Sequence, residues 1–104
     1  MLAELAENAG GKLLFEAAVG GGVPMVKALR DRVAGCRVRS VAGILNATCN
    51  FILPEMEAGG RPFEDVLAEA QRLGYAEADP SMDVGGWDAA HKLAILSAIA
   101  FGAR

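Results

Sequence analysis

Arg37-Val38-Arg39-Ser40-Val41-Ala42-Gly43-Ile44-Leu45 alternates polar and apolar side chains at its start and then turns fully apolar. A period of two puts successive side chains on opposite faces of an extended chain, so this stretch reads as a β-strand. Residues 12–19, a short apolar run with Leu14 and Phe15 bounded by glycines, read as a second, buried strand. The rest is punctuated as helices. Residues 2–8 have apolar positions at helical spacing and end at Gly10-Gly11. Pro24 opens a helix whose apolar face is Met25, Val26, Leu29 and Val33, closed by Gly35. Asn46-Ala47-Thr48 caps a helix over 46–57, stopped by Gly59-Gly60, with Pro54 inside it expected to kink it or shift a hydrogen bond. Pro62 starts a helix over 63–73 with Val66, Leu67, Ala70 and Leu73 inward and Gly74 at its end. Residues 75–86 are acidic and irregular. Trp87 or Asp88 then opens a last helix through Phe101, whose apolar run from Leu93 predicts deep burial. Two strands among these helices give the expected class: α+β, a small mixed sheet with helices packed on one face.

At 104 residues the chain is one domain at most. With 53% hydrophobic and 22% charged residues it belongs among folded globular chains rather than disordered ones. The net charge is -3 and the basic residues are scattered, so no stripe for nucleic acid forms. Cys36 and Cys49 stand in no CxxC pair and read as reduced thiols. Glu4 and Glu7 interrupt the place where a signal peptide needs an apolar run, and the apolar run of residues 93–101 is too short to span a bilayer. A cytoplasmic protein without membrane attachment is expected. The first helix begins without a capping residue, as in a chain cut from a longer one.

Glu77, Asp79, Asp83 and Asp88 place four carboxylates within twelve positions, and Lys92 lies one helical turn beyond Asp88. Crowded like charges repel unless a cation offsets them. A lysine on a packed helix among carboxylates is placed to move a proton, and the carboxylates are placed to hold an ammonium. A solvated acidic loop with an ordinary i,i+4 ion pair explains the same residues. Gly85-Gly86 implies close backbone approach or unusual torsions. Gly20-Gly21-Gly22 lacks the GxGxxG spacing, because Pro24 stands where the last glycine would be, so it is weak as a nucleotide loop. The carbonyls of that turn with Glu16 suit a hard cation, and a plain tight turn is the alternative. His91 reads as structural or partly exposed. Thr48 and Asn50 read as helix-start residues that could also face a ligand.

These residues resemble the homoserine dehydrogenase family. The matching blocks are Phe15-Glu16-Ala17-Ala18-Val19 with Gly21-Gly22-Val23-Pro24; Gly43-Ile44-Leu45-Asn46 with Thr48 and Asn50; Phe63-Glu64-Asp65-Val66-Leu67; Leu73-Gly74-Tyr75-Ala76-Glu77-Ala78-Asp79-Pro80; and Asp83-Val84 with Gly86 and Asp88-Ala89-Ala90-His91-Lys92-Leu93. The resemblance covers residues 13–102. It implies a segment of the catalytic, substrate-binding domain of an oxidoreductase that interconverts L-homoserine and L-aspartate 4-semialdehyde with NAD or NADP, in threonine and methionine biosynthesis. It further implies Lys92 as proton donor, Glu77, Asp83 and Asp88 as substrate-binding residues, and Gly74 and Glu77 near the cofactor. Glu16 with the main-chain carbonyls of Val19, Gly21 and Val23 matches a sodium site. The family's N-terminal nucleotide-binding domain is not matched, so the segment alone is expected to be inactive, and a homodimer is implied. Ala47, where glycine is usual, and Pro54 depart from the pattern. The competing expectation is a non-catalytic oligomerisation module derived from the same domain.

Overall fold

A computed structural model describes residues 1–32 and 35–102. Val33, expected on the apolar face after Pro24, lies outside the described residues. Six α-helices and one π-helical turn form among them: α1 (Leu2–Asn8), α2 (Met25–Lys27), the π-helical turn (Ala28–Arg32), α3 (Ala47–Gly59), α4 (Phe63–Leu73), α5 (Ser81–Val84) and α6 (Trp87–Phe101).

The expected mixed sheet is not there. Residues 12–16 and 37–45 carry no regular structure, and no strand forms among the described residues. Side-chain alternation is a property of one segment, but a strand exists only where a second backbone supplies the ladder of hydrogen bonds. These two segments do not pair with each other. The first is also not buried: Leu14 is 75% exposed, and Leu13 and Phe15 are exposed as well. The fold class is therefore helical.

α1, α3, α4 and α6 follow their punctuation, whereas α5 forms inside residues 75–86, which read as irregular, and the helix opened at Pro24 passes into a π-helical turn at Ala28. Asn46 caps α3, its side-chain oxygen accepting from the Cys49 amide at 2.9 Å. The helix then runs through Pro54 to a left-handed Gly60. Pro62 precedes α4, with Glu64 and Asp65 in its first turn and Arg72 in its last, which suits the helix dipole. Gly74 ends α4 at φ 83°, a left-handed conformation that costs other residues about 1–2 kcal/mol. That reversal lets the Tyr75 and Ala76 amides donate back to the Ala70 carbonyl, at 2.8 and 3.2 Å.

α3 packs on α4, and the core between them is Ile52, Val66, Ala70 and Ala76, flanked by Phe51, Met56 and Leu67. The Phe51 and Tyr75 rings lie 5.0 Å apart, tying the returning chain to α3. Arg61, in the connection between the two helices, pairs with Glu55 of α3 and Glu69 of α4 at 3.6 and 2.5 Å. α5 lies against both α3 and α6, and α6 reaches the π-helical turn.

Burial is thin. α6 was expected to be deeply covered, yet Leu96 is its one fully buried residue, and Trp87 is 62% exposed. The accessible surface is 7685 Å². A compact monomer of this mass exposes about 5,500 Å². The radius of gyration is 16.8 Å, against about 13 Å for a compact chain of this length. Large apolar side chains contribute to that exposed surface, among them Leu2, Leu14 and Trp87 at 70, 75 and 62%. Among the described residues no helix is long and apolar enough to cross a membrane.

The α3–α4 core should dominate what stability the chain has. Ile52→Ala is expected to cost about 2–5 kcal/mol, while Leu73→Ala, at a residue 45% exposed, costs well below that. Urea unfolding of the two variants checks this, and equal losses would show that the core lies elsewhere.

Candidate active site

Three elements converge on one side chain. Asn46, at the start of α3 and 5% exposed, directs its amide nitrogen at Asp83 Oδ1 of α5 (2.7 Å) and at Asp88 Oδ2 of α6 (2.8 Å). Its oxygen already accepts from Cys49. The chemistry fixes this orientation, since a flipped amide would set a carbonyl against two carboxylates.

Two glycines bring α5 and α6 to that point. A β-carbon on Gly85 would lie 2.5 Å from the Ser81 carbonyl oxygen, so only glycine permits the chain to pass there. Gly86 starts α6 at φ 81°. The close approach and the unusual torsion read from Gly85-Gly86 are both present, one at each residue.

Lys92 sits one turn after Asp88. Its ammonium donates to Asp88 Oδ2 at 2.7 Å and to the Leu45 carbonyl at 2.9 Å. An ammonium has three donors, so one N–H is left beyond these two partners. Lys92 lines a cleft of about 360 Å³ together with Gly20, Gly21, Ile44, Asn46 and Asn50. Asn50, read as a residue that could face a ligand, is thus on its wall.

Thr48 adds a second link to Asp83. Its hydroxyl lies 2.8 Å from both the Tyr75 carbonyl and Asp83 Oδ2. One hydroxyl hydrogen serves these two acceptors, which ties the strand of chain after Gly74 to the carboxylate of α5.

The Asn46 amide first, and then the Lys92 ammonium, hold the Asp88 carboxyl below the usual aspartate range, against the opposing effect of burial. The Cys49 thiol is pushed up, mainly by burial and then by Asp83 and Asp88. The Cys49 sulfur lies 3.6 Å from the Asp83 main-chain carbonyl, to which its S–H can donate.

Of the residues singled out from sequence, Asp83, Asp88 and Lys92 are brought together. Glu77 is exposed and contributes its main-chain carbonyl, which accepts from Gln71 at 3.0 Å. Asp79 caps the first amide of α5 at 3.2 Å. Gly74 turns the chain at the end of α4, and His91 is exposed. Glu16 accepts from the Val26 and Lys27 amides, both at 2.9 Å, and so holds the turn containing Val19, Gly21 and Val23 onto α2.

Comparison with known proteins places this arrangement. A sequence model described as homoserine dehydrogenase matches residues 24–104. The chain belongs to the homoserine dehydrogenase family. It is 58% identical over 98 residues to the homoserine dehydrogenase of Neisseria gonorrhoeae, covering 94% of this chain and 22% of that protein. With the Pseudomonas aeruginosa enzyme the identity is 64% over 88 residues, covering 85% and 20%. A solved homoserine dehydrogenase from Thiobacillus denitrificans superposes with TM-score 0.92 at 57% identity, covering 99% of this chain and 24% of that one. A hyperthermophilic archaeal homoserine dehydrogenase solved in complex with NADPH gives TM-score 0.86 at 34% identity, covering 98% and 32%. The chain thus spans about a fifth to a third of the length of these homoserine dehydrogenases.

The Asn46 bridge was not predicted. The sequence marks Asn46 as a helix cap, and the same side chain is also the donor joining Asp83 to Asp88. Nothing in local spacing signals partners 37 and 42 residues away.

Asp88 makes stability depend on pH in a definite direction. Its folded value lies below its unfolded one, near 3.9, so its contribution is fully present above that range and is lost as pH falls through the folded value. Urea midpoints of the wild type and Asp88→Asn should therefore differ at pH 6 and converge toward pH 2.5. A gap that stays constant across that span would contradict the assigned shift.

Proposed function

We propose that this segment is the substrate side of an NAD(P)-dependent homoserine dehydrogenase, which interconverts L-homoserine and L-aspartate 4-semialdehyde in threonine and methionine biosynthesis. The observation that carries this reading is the Lys92 ammonium, held by Asp88 and the Leu45 carbonyl at the wall of a polar cleft, with one N–H to spare.

A nicotinamide cofactor, when bound, supplies or accepts the hydride. The rest is done by the chain's own groups. As an aldehyde carbon is reduced, its oxygen gathers negative charge. An ammonium aimed at that oxygen stabilises the charge and transfers its proton from Nζ to oxygen, which leaves a hydroxyl and a neutral amine. In oxidation the amine takes the hydroxyl proton back. Asp88 keeps Lys92 in place throughout. Asp83 and Asp88 supply negative charge for the amino group of the substrate, which selects an amino acid over a simple aldehyde, while Glu77, exposed and apart from them, is left to the cofactor rim.

Gly74 and Glu77 fit the rim of a cofactor site. Gly74 offers a bare backbone with open space above it, and Glu77 an exposed carboxylate. For a sodium ion, the donor set of Glu16 with the carbonyls of Val19, Gly21 and Val23 is hard oxygen throughout. The Glu16 oxygens keep lone pairs beyond those used on the two amides. The exposed Leu14 and Trp87 support packing against the remainder of a longer protein and, in a homodimer, against a second subunit. A module that served assembly alone would have no use for Asp83, Asp88 and Lys92 around one buried amide.

Lys92→Ala, made in a full-length homoserine dehydrogenase carrying this segment, should lower the rate of NADPH- or NADH-dependent semialdehyde reduction by about 100-fold or more. Circular dichroism should stay unchanged. Near-normal turnover in the folded variant would remove Lys92 from the proton transfer.

A further inference from the structure

We propose that Asn46 is a positioning residue: its amide nitrogen fixes Asp83 and Asp88 relative to each other and, through Asp88, aims Lys92 into the cleft. This rests on the reading that Lys92 and its carboxylates form the substrate site.

A primary amide has two N–H donors and one carbonyl acceptor. In Asn46 each N–H goes to a different carboxylate, at 2.7 and 2.8 Å, and the carbonyl goes to the Cys49 amide at 2.9 Å. The side chain is buried and has its main bonding capacity filled. Two carboxylates on separate helices repel each other. A neutral two-pronged donor holds both without cancelling the charge that a cationic substrate needs. A lysine or arginine in its place would neutralise the site.

The helix cap does not explain the choice of asparagine. Serine, threonine and aspartate cap helices about as well. None of them offers two donors on one atom at the opposite end from the cap acceptor.

The link to Lys92 runs through a single oxygen. Asp88 Oδ2 accepts from both Asn46 Nδ2 and Lys92 Nζ. The second anchor of Lys92 is the carbonyl of Leu45, the residue before Asn46. Residues 45 and 46 therefore hold the ammonium twice, once directly and once across Asp88. A shift of Asn46 moves both anchors.

The test uses Asn46→Ser and Asn46→Asp in a full-length homoserine dehydrogenase carrying this segment, with Lys92→Ala alongside. Both Asn46 variants keep a cap acceptor for the Cys49 amide and lose the bridge. Asn46→Asp also adds a third carboxylate, so if it does not fold, Asn46→Ser decides. For Asn46→Ser the kcat is expected to fall roughly 10- to 100-fold, as for a misplaced catalytic group. The KM for the amino-acid substrate should rise while the KM for the nucleotide stays near wild type, and the melting temperature should fall with the loss of two hydrogen bonds to carboxylates. A lower kcat with both KM values unchanged would overturn the proposal, because an enzyme that is slower yet binds its amino-acid substrate normally has not lost its hold on the two carboxylates. So would wild-type kinetics in folded Asn46→Ser while Lys92→Ala is inactive. Activity retained in Lys92→Ala would instead bring down the functional reading on which the proposal stands.

Discussion

Two N–H groups on one buried amide hold the site together. Asn46 reaches Asp83 and Asp88 from the start of α3, and each of those residues belongs to a different helix. Hydrophobic packing here is modest: the main core comprises four small or medium side chains between α3, α4 and the chain that returns after Gly74. α5 is a single turn with no buried residue of its own. Its position is therefore set by polar contacts, from Asn46 and Thr48 to Asp83, and by the tight passage at Gly85. A hydrogen bond to a charged acceptor contributes about 1.5–3 kcal/mol, so in a chain with so little core this network carries a large share of the local order.

The long helices were legible because their ends are marked chemically; α5, a single turn inside a stretch that read as irregular, was not. Pro62 and Gly74 bracket α4, Asn46 and Gly60 bracket α3, and Gly86 and Gly102 bracket α6, each through a torsion or a cap that a local stretch of sequence encodes. The strands were not, because alternation in residues 37–45 reports a preference for two faces and says nothing about a neighbouring backbone. Exposure misled in the same way. The apolar run of α6 suggested deep burial, but burial needs something to pack against, and within this chain α6 meets α5 and the π-helical turn.

The site divides similarly. Asp88 and Lys92 are four apart on one helix, and their pairing could be read from spacing alone. Asp83 joins them through a turn whose geometry depends on Gly85 and Gly86, which sequence flagged as special without saying where they lead. Asn46 was visible as a helix cap, and Thr48 as a helix-start residue that could also face a ligand. Their second roles rest on contacts spanning 35 to 42 residues, which no local window contains. Glu77, grouped with the other carboxylates by proximity in sequence, faces outward because the reversal at Gly74 carries the following residues past the cluster and turns Tyr75's carbonyl toward Thr48.

The long reach of these contacts has a bearing on the order in which the chain assembles. The α3–α4 pair is a local hairpin of helices joined by a short turn, and it can close early. The bond from Lys92 to Leu45 closes a loop of 47 residues, and those from Asn46 close loops nearly as long. Such closures come late because their entropy must be met before any contact repays it. The geometry around Asn46, Asp88 and Lys92 is then expected to form last and to be lost first. The joint between α3 and α6 should therefore loosen before the α3–α4 hairpin does.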